Sequence, residues 1–494
     1  MNILAIHTSH DGAITVVKDD QFLLHAQIDR FNHILSSAIP SKKLLIQIKS
    51  LKIKFDRLLI TFLSDSGHWL WEKMLRDYDI IDANTKIEYF GRDRHHLFHT
   101  FCARATTGPN KQYLVIDGHG SPLGKSGSVT PTGEKKIYEQ ESLFVDDKPV
   151  WQTQHGIGVA YEEVTAALLK QKYLAFRNCG KTMALSAYGN IDADLYPCLY
   201  EGLKTKGKIV VPDDLEIESK STQDFLHTFQ HAVENLIESL MPERDVTLTG
   251  GVAQNVLANS KFFKRPNFKV DPLCTDTGIS LGCINAYMGG ELQLPHPVYL
   301  GFEPDYYFLH YPTFKDCDIT DTSVDEVCQI LKEEPVAIFQ GRSEQGQRGL
   351  GNRSLLMDAT HPQAIEKVNK IKRREWYRPF APAIVHAFAK QYFEIQGSSP
   401  HMLHVFKAKE SMEAVTSIDS TARIQTVTPN ANPEFFKLLN TFREKYGTPY
   451  LLNTSLNLSG HTLVEDLNDL KYMLDNSPLR YAYLPTIGKL IFKE

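Results

Sequence analysis

The hydrophobic pattern begins with short apolar runs of strand length and changes to a helical period further on. Residues 2–6 form the first run, a turn signal follows at 9–12, and two more strand-like runs occupy Ala13–Lys18 and Gln21–Gln27. Asp19 and Asp20 between the last two predict a hairpin. Strand-like runs recur at 57–63, 113–116 and 246–248, and helical periodicity covers 42–51, 158–169 and 223–240. Strands and helices mixed in this way predict an α/β core. A stretch rich in proline and aromatics at 292–304 breaks the pattern and reads as a linker, placing a domain boundary near residue 305. Beyond it the pattern predicts a helix at 324–332, strands at 335–339 and Tyr450–Ser455, and a helix near 466–475. The sequence shows no short internal repeat and no low-complexity tract.

Length and composition narrow the class. At 494 residues the chain needs two or three domains, and 42% hydrophobic with 23% charged residues is an ordinary globular balance. A net charge of −5 gives no general attraction to nucleic acid or anionic membrane, so any anion affinity must be local. The seven cysteines are scattered with no Cys-x-x-Cys pair, which argues against a disulfide framework and against zinc. The first residues read as a strand rather than a signal peptide, and no apolar run approaches membrane-spanning length. A cytoplasmic protein without a membrane partner is expected.

One region breaks the acidic balance. Arg342, Arg348, Arg353, Lys372, Arg373, Arg374 and Arg378 are interleaved with Gly341, Gly346, Gly349 and Gly351, and a Pro-Phe-Ala-Pro stretch closes the run at Pro382. Guanidinium forks match phosphate oxygens two at a time, and glycines let backbone N–H groups approach the same anion. A solvated basic face is the bland alternative, but it needs neither the glycines nor the closing prolines. The pattern predicts a polyanion site for a nucleoside triphosphate and a phosphorylated co-substrate.

The first half carries a different chemistry. His95 and His99 are four residues apart, a spacing that on a helix puts both imidazoles on one face within reach of a single ion; His96 points about a quarter-turn away. Asp117 ends an apolar strand, where ligands gather in α/β sheets, and Asp276 sits in a loop before a glycine-started helix. Two histidines with one or two carboxylates suit a divalent transition ion such as Fe(II); an N-cap or turn role is the alternative for each Asp. The strand–Gly250–Gly251–helix arrangement lets a phosphate or an adenosine approach bare backbone. The run 118–126 imitates a phosphate-binding P-loop, but its glycine spacing is wrong and no helix start follows.

Taken in order, these segments resemble the O-carbamoyltransferase family that modifies antibiotics and nodulation factors. The resemblance rests on Ser9-His-Asp-Gly-Ala13, His95-His-x-x-His99, Asp117-Gly-x-Gly120, the segment 180–189, Gly250-Gly-Val-Ala-Gln-Asn255 and Asp276-x-Gly278. In the second half it rests on Glu344-x-Gly-x-Arg-x-Leu-Gly-Asn-Arg-Ser354, Arg378-Pro-Phe-Ala-Pro382, the segment 421–427 and Leu452-Asn-Thr-Ser-Leu-Asn457. It implies an N-terminal actin/Hsp70-type (Kae1-like) ATPase fold followed by a smaller YrdC-like α/β domain. It also implies two reactions: carbamoyl-adenylate formation from carbamoyl phosphate and ATP, with Mg(II) accompanying the nucleotide, then carbamoyl transfer to an acceptor hydroxyl beside the metal.

Carried over by position, Arg348, Lys372, Arg378, Arg423, Asn453 and Ser455 line the first site, with Lys372 as its catalytic cation. Lys181, Gly250, Gly251 and Asn255 fall on nucleotide-binding segments; His95, His99, Asp117 and Asp276 hold the metal, and His10 is the general base. Two departures bear on the acceptor rather than the reaction: Ile28-Asp-Arg30 stands where the family has Glu-Glu-Arg, and Gly346-Gln-Arg-Gly-Leu-Gly351 where it has Gly-Pro-Arg-Ala-Leu-Gly. A small-molecule hydroxyl is the expected acceptor, and a hydroxymethylated base in DNA offers the same primary alcohol. The other functions weighed are a threonylcarbamoyl-adenylate-dependent tRNA modifier and a non-catalytic ATP-binding regulator.

Overall fold

A computed structural model describes residues 1–63, 67–118, 120, 139–171, 173–205 and 208–494. The chain divides into two compact units, Met1–Asn32 with Ser36–Pro297 and His33–Leu35 with Val298–Glu494. The change of unit at Pro297 falls inside the expected linker and upstream of the boundary expected near 305. The P-loop-like run 118–126 lies almost wholly outside the described residues.

In the first unit, the strands β1 (Ile3–His7), β2 (Ala13–Lys18), β3 (Gln21–Gln27), β4 (Arg57–Thr61) and β5 (Lys86–Phe90) form a sheet of order β3-β2-β1-β4-β5. β2 pairs antiparallel with β1 and β3, whereas β4 runs parallel to both β1 and β5. The strands β6 (Gln112–Ile116), β7 (Glu141–Val145), β8 (Lys148–Thr153), β9 (Val246–Thr249) and β10 (Lys269–Val270) repeat that plan, in the order β10-β9-β6-β7-β8. Again the two hairpin pairs are antiparallel and the other two pairs parallel. This duplicated sheet is the actin/Hsp70-type ATPase fold implied by the resemblance. The duplication was invisible in the sequence because only topology repeats; a strand needs burial, not particular residues.

Two helices form the core beside these sheets. His95–Thr107 packs against β6 and β9, Ile279–Tyr287 packs against β1, β2 and β4, and the two helices pack on each other. Gly282 permits that contact, since a Cβ there would lie 1.9 Å from the Phe98 carbonyl oxygen.

The second unit is also α/β. Its strands are β11 (Asp318–Asp321), β12 (Val336–Phe339), β13 (Arg353–Met357), β14 (Ala381–Val385), the small pair β15 (Phe406–Lys407) and β16 (Thr421–Ala422), then β17 (Gln425–Val427), β18 (Tyr450–Ser455), β19 (Tyr481–Leu484) and β20 (Lys489–Phe492). Eight of them form one mixed sheet, in the order β11-β20-β19-β12-β13-β18-β14-β17. The helices Val324–Glu333 and Pro433–Tyr446 cover it, burying Val327, Leu331, Phe435, Leu439 and Phe442 against Val336, Ile338 and Leu356. Ser323 and Glu326 cap the first of these helices reciprocally, and Asp466 caps Leu467–Asp475. All seven cysteines are free thiols. Among the described residues no helix is long and apolar enough to cross a membrane.

The Gly282 contact predicts a fragile joint. Gly282→Val should force the two helices apart and cost about 1–3 kcal/mol of stability, measurable as a lower chemical-denaturation midpoint, whereas Gly180→Ala, where an added Cβ meets nothing within 4 Å, should leave the midpoint nearly unchanged.

Candidate functional site

The first unit gathers four of the expected ligands. His95 and His99 lie one turn apart on the helix His95–Thr107, with ring centroids 4.8 Å apart. Asp117 follows the end of β6, and Asp276 opens a single helical turn ahead of Ile279–Tyr287. The candidate ligand atoms of these four residues all lie within 4.8 Å of one another. His95 Nε2 is 3.1 Å from Asp117 Oδ2 and 3.4 Å from Asp276 Oδ1; His99 Nε2 is 3.7 Å and 3.5 Å from the same two oxygens. Asp117 is aimed by its other oxygen, which accepts a 2.9 Å hydrogen bond from the Gly251 amide. That amide reaches it because Gly250 turns the chain with φ +88° and passes so close to β6 that a Cβ would sit 2.3 Å from the Ile116 carbonyl oxygen.

Electrostatics show how strongly the four side chains are coupled. Burial alone would lower the His99 pKa, but hydrogen bonding and charge from Asp117 and Asp276 push it up to about 10. Burial opposes ionisation of Asp117 and Asp276 too, yet the surrounding histidines hold both well below the usual carboxylate range. His99 Nε2 and Asp276 Oδ2 are buried, and the carboxylate and imidazole atoms that face them stand at 3.5–3.7 Å, too far for well-formed hydrogen bonds. Two imidazoles and two carboxylates converging this way fit a divalent transition ion.

His10 lies on the exposed side of the same carboxylate. Its Nε2 is 3.5 Å from Asp276 Oδ2, and its ring packs against Phe176 at 5.3 Å between centroids. Arg177, next to Phe176, pairs with Asp11 at 2.8 Å and with Asp29 at 2.6 Å. Asp11 thus ties the His10 loop to the helix Ala175–Ser186, and Asp29, from the departing segment Ile28-Asp-Arg30, shares the same guanidinium. His96 turns away, as expected, to a 2.8 Å contact with the Ser142 hydroxyl. His7 was missed: at the end of β1, its Nε2 faces Asp276 Oδ2 at 3.7 Å. The signal available was a histidine closing the strand that leads into the His10 turn.

The expected nucleotide residues of this unit have different local settings. Gly250 and Gly251 shape the turn beside Asp117. Asn255 caps the helix Val256–Phe262 through Ala258 N and exchanges two side-chain hydrogen bonds with Gln230. Lys181 sits half-buried on the helix Ala175–Ser186.

In the second unit the basic residues divide into two groups. Arg353 is wholly buried, donating to the carbonyls of Gln340, Gly341, Asn352 and Glu465 with its guanidinium 3.8 Å from the Phe339 ring centroid. Arg342 pairs with Glu303 at 2.8 Å. These two are structural. Arg348, Lys372, Arg374, Arg378 and Arg423 form the other group and repel one another. Burial first, then Arg374 and Arg378, push the Lys372 ammonium well below its usual range. Burial, Arg378 and Arg348 bring Arg374 down to about 9, and burial with Arg348, Arg374 and Arg378 lowers Arg423. Such a cluster asks for an anion.

Lys372, expected as a catalytic cation, is enclosed. Its ammonium donates to Ser455 O at 2.6 Å, Asn457 O at 2.7 Å and Asn457 Oδ1 at 2.5 Å, tying down the turn after β18. Arg374 donates to the Thr454 hydroxyl at 2.8 Å. Arg374 and Asn457 were missed as site residues, although the pairs Lys372-x-Arg374 and Ser455-x-Asn457 are spaced alike in the sequence. Gly349 explains the second departure from the family pattern: a Cβ there would lie 2.7 Å from Ser455 Cα. Arg378 pairs with Glu375 at 2.9 Å and stays partly exposed. Among the expected site residues of this unit, two buried polar atoms lack hydrogen-bond partners, Arg423 Nε and Asn453 Oδ1. Asn453 is oriented by its Nδ2, which donates to Gln425 Oε1 at 2.8 Å and to Gly349 O at 3.3 Å.

Residues 327–489, which hold all five of these cations, match the carbamoyltransferase C-terminus family model. Over 94% of its length the chain is 27% identical to an uncharacterized protein of Methanocaldococcus jannaschii, covering 94% of that protein. It is 27% identical to the nodulation protein NolNO of Sinorhizobium fredii over 93% of this chain and 76% of that one. It is 30% identical to the 3'-hydroxymethylcephem-O-carbamoyltransferase of Streptomyces clavuligerus over 59% of this chain and 61% of that enzyme. With a matching C-terminal domain and relatives aligned along nearly its whole length, the chain is similar to the O-carbamoyltransferases, and its residues 327–489 carry the carbamoyltransferase C-terminal domain.

Proposed function

We propose that the chain is an ATP-dependent O-carbamoyltransferase that forms carbamoyl-adenylate in its second unit and passes the carbamoyl group to a small-molecule hydroxyl in its first. The observation that carries this reading is the set Arg348, Lys372, Arg374, Arg378 and Arg423, gathered so closely that burial and like charge disfavour the ions of Lys372, Arg374 and Arg423, a cost that bound phosphates would relieve. The second unit then plays the YrdC-like part.

Carbamoyl phosphate reacts with water to give carbamate and phosphate, and a carbamate oxygen displaces pyrophosphate from the α-phosphorus of ATP. Negative charge accumulates on the transferring oxygens, and prearranged guanidinium donors stabilise it without reorganising. Arg378 and Arg423 are the arms for this role, since Lys372 is held by Ser455 and Asn457 and contributes charge and a fixed turn. Asn453 Oδ1 offers an acceptor to the carbamoyl NH2, the one donor that separates this substrate from acetyl phosphate.

In the first unit His95, His99, Asp117 and Asp276 would hold a divalent ion, Fe(II) being one that suits the donor set, and it would supply Lewis acidity next to the reacting carbonyl. His10 removes the acceptor's proton as its oxygen attacks the carbamoyl carbon and AMP departs. Its exposure on the open side of Asp276 leaves room for an alcohol, and its distance from the carboxylate keeps the ring aimed.

Pyrophosphate release from ATP and carbamoyl phosphate tests the first reaction, and Arg378→Ala or Arg423→Ala should reduce it on the order of 10²-fold; absence of release from the intact protein, or a requirement for threonine and bicarbonate, would overturn the reading. His10→Ala should keep pyrophosphate release while lowering product formation with hydroxyl acceptors roughly 10²–10⁴-fold, followed with labelled carbamoyl phosphate. Acetyl phosphate should fail as a substrate, and Asn453→Leu should narrow that preference by cutting kcat/KM for carbamoyl phosphate about tenfold or more.

A further inference from the structure

The two oxygens of Asp276 face different partners. Oδ1 points to His95 at 3.4 Å and His99 at 3.5 Å. Oδ2 points to His10 at 3.5 Å and His7 at 3.7 Å, and is otherwise without a hydrogen bond. The two histidines on Oδ2 differ in mobility. His10 is half exposed on a turn, whereas His7 is buried on β1 with its ring anchored by a 2.9 Å contact between Nδ1 and the Thr61 hydroxyl. With the Thr61 hydroxyl donating to Nδ1, the ring proton sits on Nε2, the nitrogen that faces Asp276. β1 and β4 pair in register here, His7 opposite Thr61, so the imidazole is referenced to the sheet rather than to a loop. His7 Nε2 is also buried and unpartnered apart from this carboxylate.

A carboxylate that binds an ion through one oxygen can still rotate about its Cβ–Cγ bond. A donor fixed on the second oxygen removes that freedom and holds the first on the ion, the usual service of groups behind metal ligands. We infer that His7 is a positioning residue for the metal centre, its Nε2–H turned toward Asp276 Oδ2 so that Oδ1 is held toward His95 and His99. His10 is thereby not needed to orient the ligand and is left to the acceptor. The inference rests on the reading of His95, His99, Asp117 and Asp276 as a divalent-ion site.

The test is anaerobic titration of the full-length protein with Co(II), reading affinity and stoichiometry from the absorption of the bound ion, with thermal melting as a folding control. The intact chain should bind one ion, and His95→Ala should bind none. His7→Phe should stay folded and bind 10–100-fold more weakly, while His7→Gln, which keeps an N–H near the Nε2 position, should recover most of the loss. His10→Ala should change the affinity much less than His7→Phe. Unchanged affinity in His7→Phe, with His95→Ala still defective, would overturn the role of His7 alone. Two ions per chain, or abolished binding in His7→Phe as complete as in His95→Ala, would make His7 a ligand and overturn it as well. No binding by the intact chain would remove the metal reading together with the inference. Should His7→Phe fail to fold, His7→Gln against His7→Leu decides the same question, equal loss in both overturning it.

Discussion

Concentrating charge of one sign inside a protein is the constraint around which both units are organised. Removing an ion from water is expensive unless a partner replaces the lost solvation. The first unit places Asp117 and Asp276 together in a nearly dry pocket, and the second crowds five cations into one end of a sheet. Their own side chains offset these charges only in part, through the histidines of the first unit and Glu375 beside Arg378 in the second. The carboxylates drive His99 up to about 10, a protein group recruited to supply positive charge. The cations of the second unit respond in the opposite sense, with Lys372, Arg374 and Arg423 all disfavoured as ions. Such strain is tolerated when a ligand of opposite sign completes the site.

The backbone contacts that hold these charges in place explain why glycines recur near both sites. Gly282 lets the two helices carrying His95, His99 and, just ahead of the second, Asp276 approach within the radius of a carbonyl oxygen. Gly250 brings the Gly251 amide to Asp117, and Gly349 admits Ser455 beside the loop of Arg348. In each case a methyl group would displace backbone rather than a flexible side chain. The geometry of the charged groups is therefore set by main-chain packing, which is stiff, and the side chains inherit that stiffness.

Much of this was legible in the sequence because it rests on local rules. The hairpin Ala13–Lys18 with Gln21–Gln27, the strand Tyr450–Ser455 and the helix beginning at Val324 follow from period and capping alone. The His95/His99 pair was readable from helical spacing. What stayed hidden depends on contacts between distant segments. The duplicated sheet is a repeat of pairing order, which leaves no repeated residues. His7 was indistinguishable from any strand-end residue until β4 and the Asp276 turn were brought against it. The basic run could not be sorted either: Arg353 and Arg348 look alike in sequence, yet one is enclosed by four carbonyls of the fold and the other joins the cationic cluster.

Under the proposed function, charge arithmetic also bears on why two reactions would suit separate units. Two neutral imidazoles and two carboxylates balance one divalent ion, so a loaded first site is close to neutral and can accept an adenylate phosphate without strong repulsion. A site rich enough in arginine to gather two phosphorylated substrates would hold the same adenylate too firmly to let AMP leave, because uniform binding of substrate and product slows turnover. Dividing the work lets the strongly cationic pocket collect and activate, while the near-neutral one positions an uncharged alcohol beside His10. On this view the excess positive charge of the second unit and the paired acids of the first follow from one chemical demand, the handling of an anionic intermediate whose acceptor carries no charge.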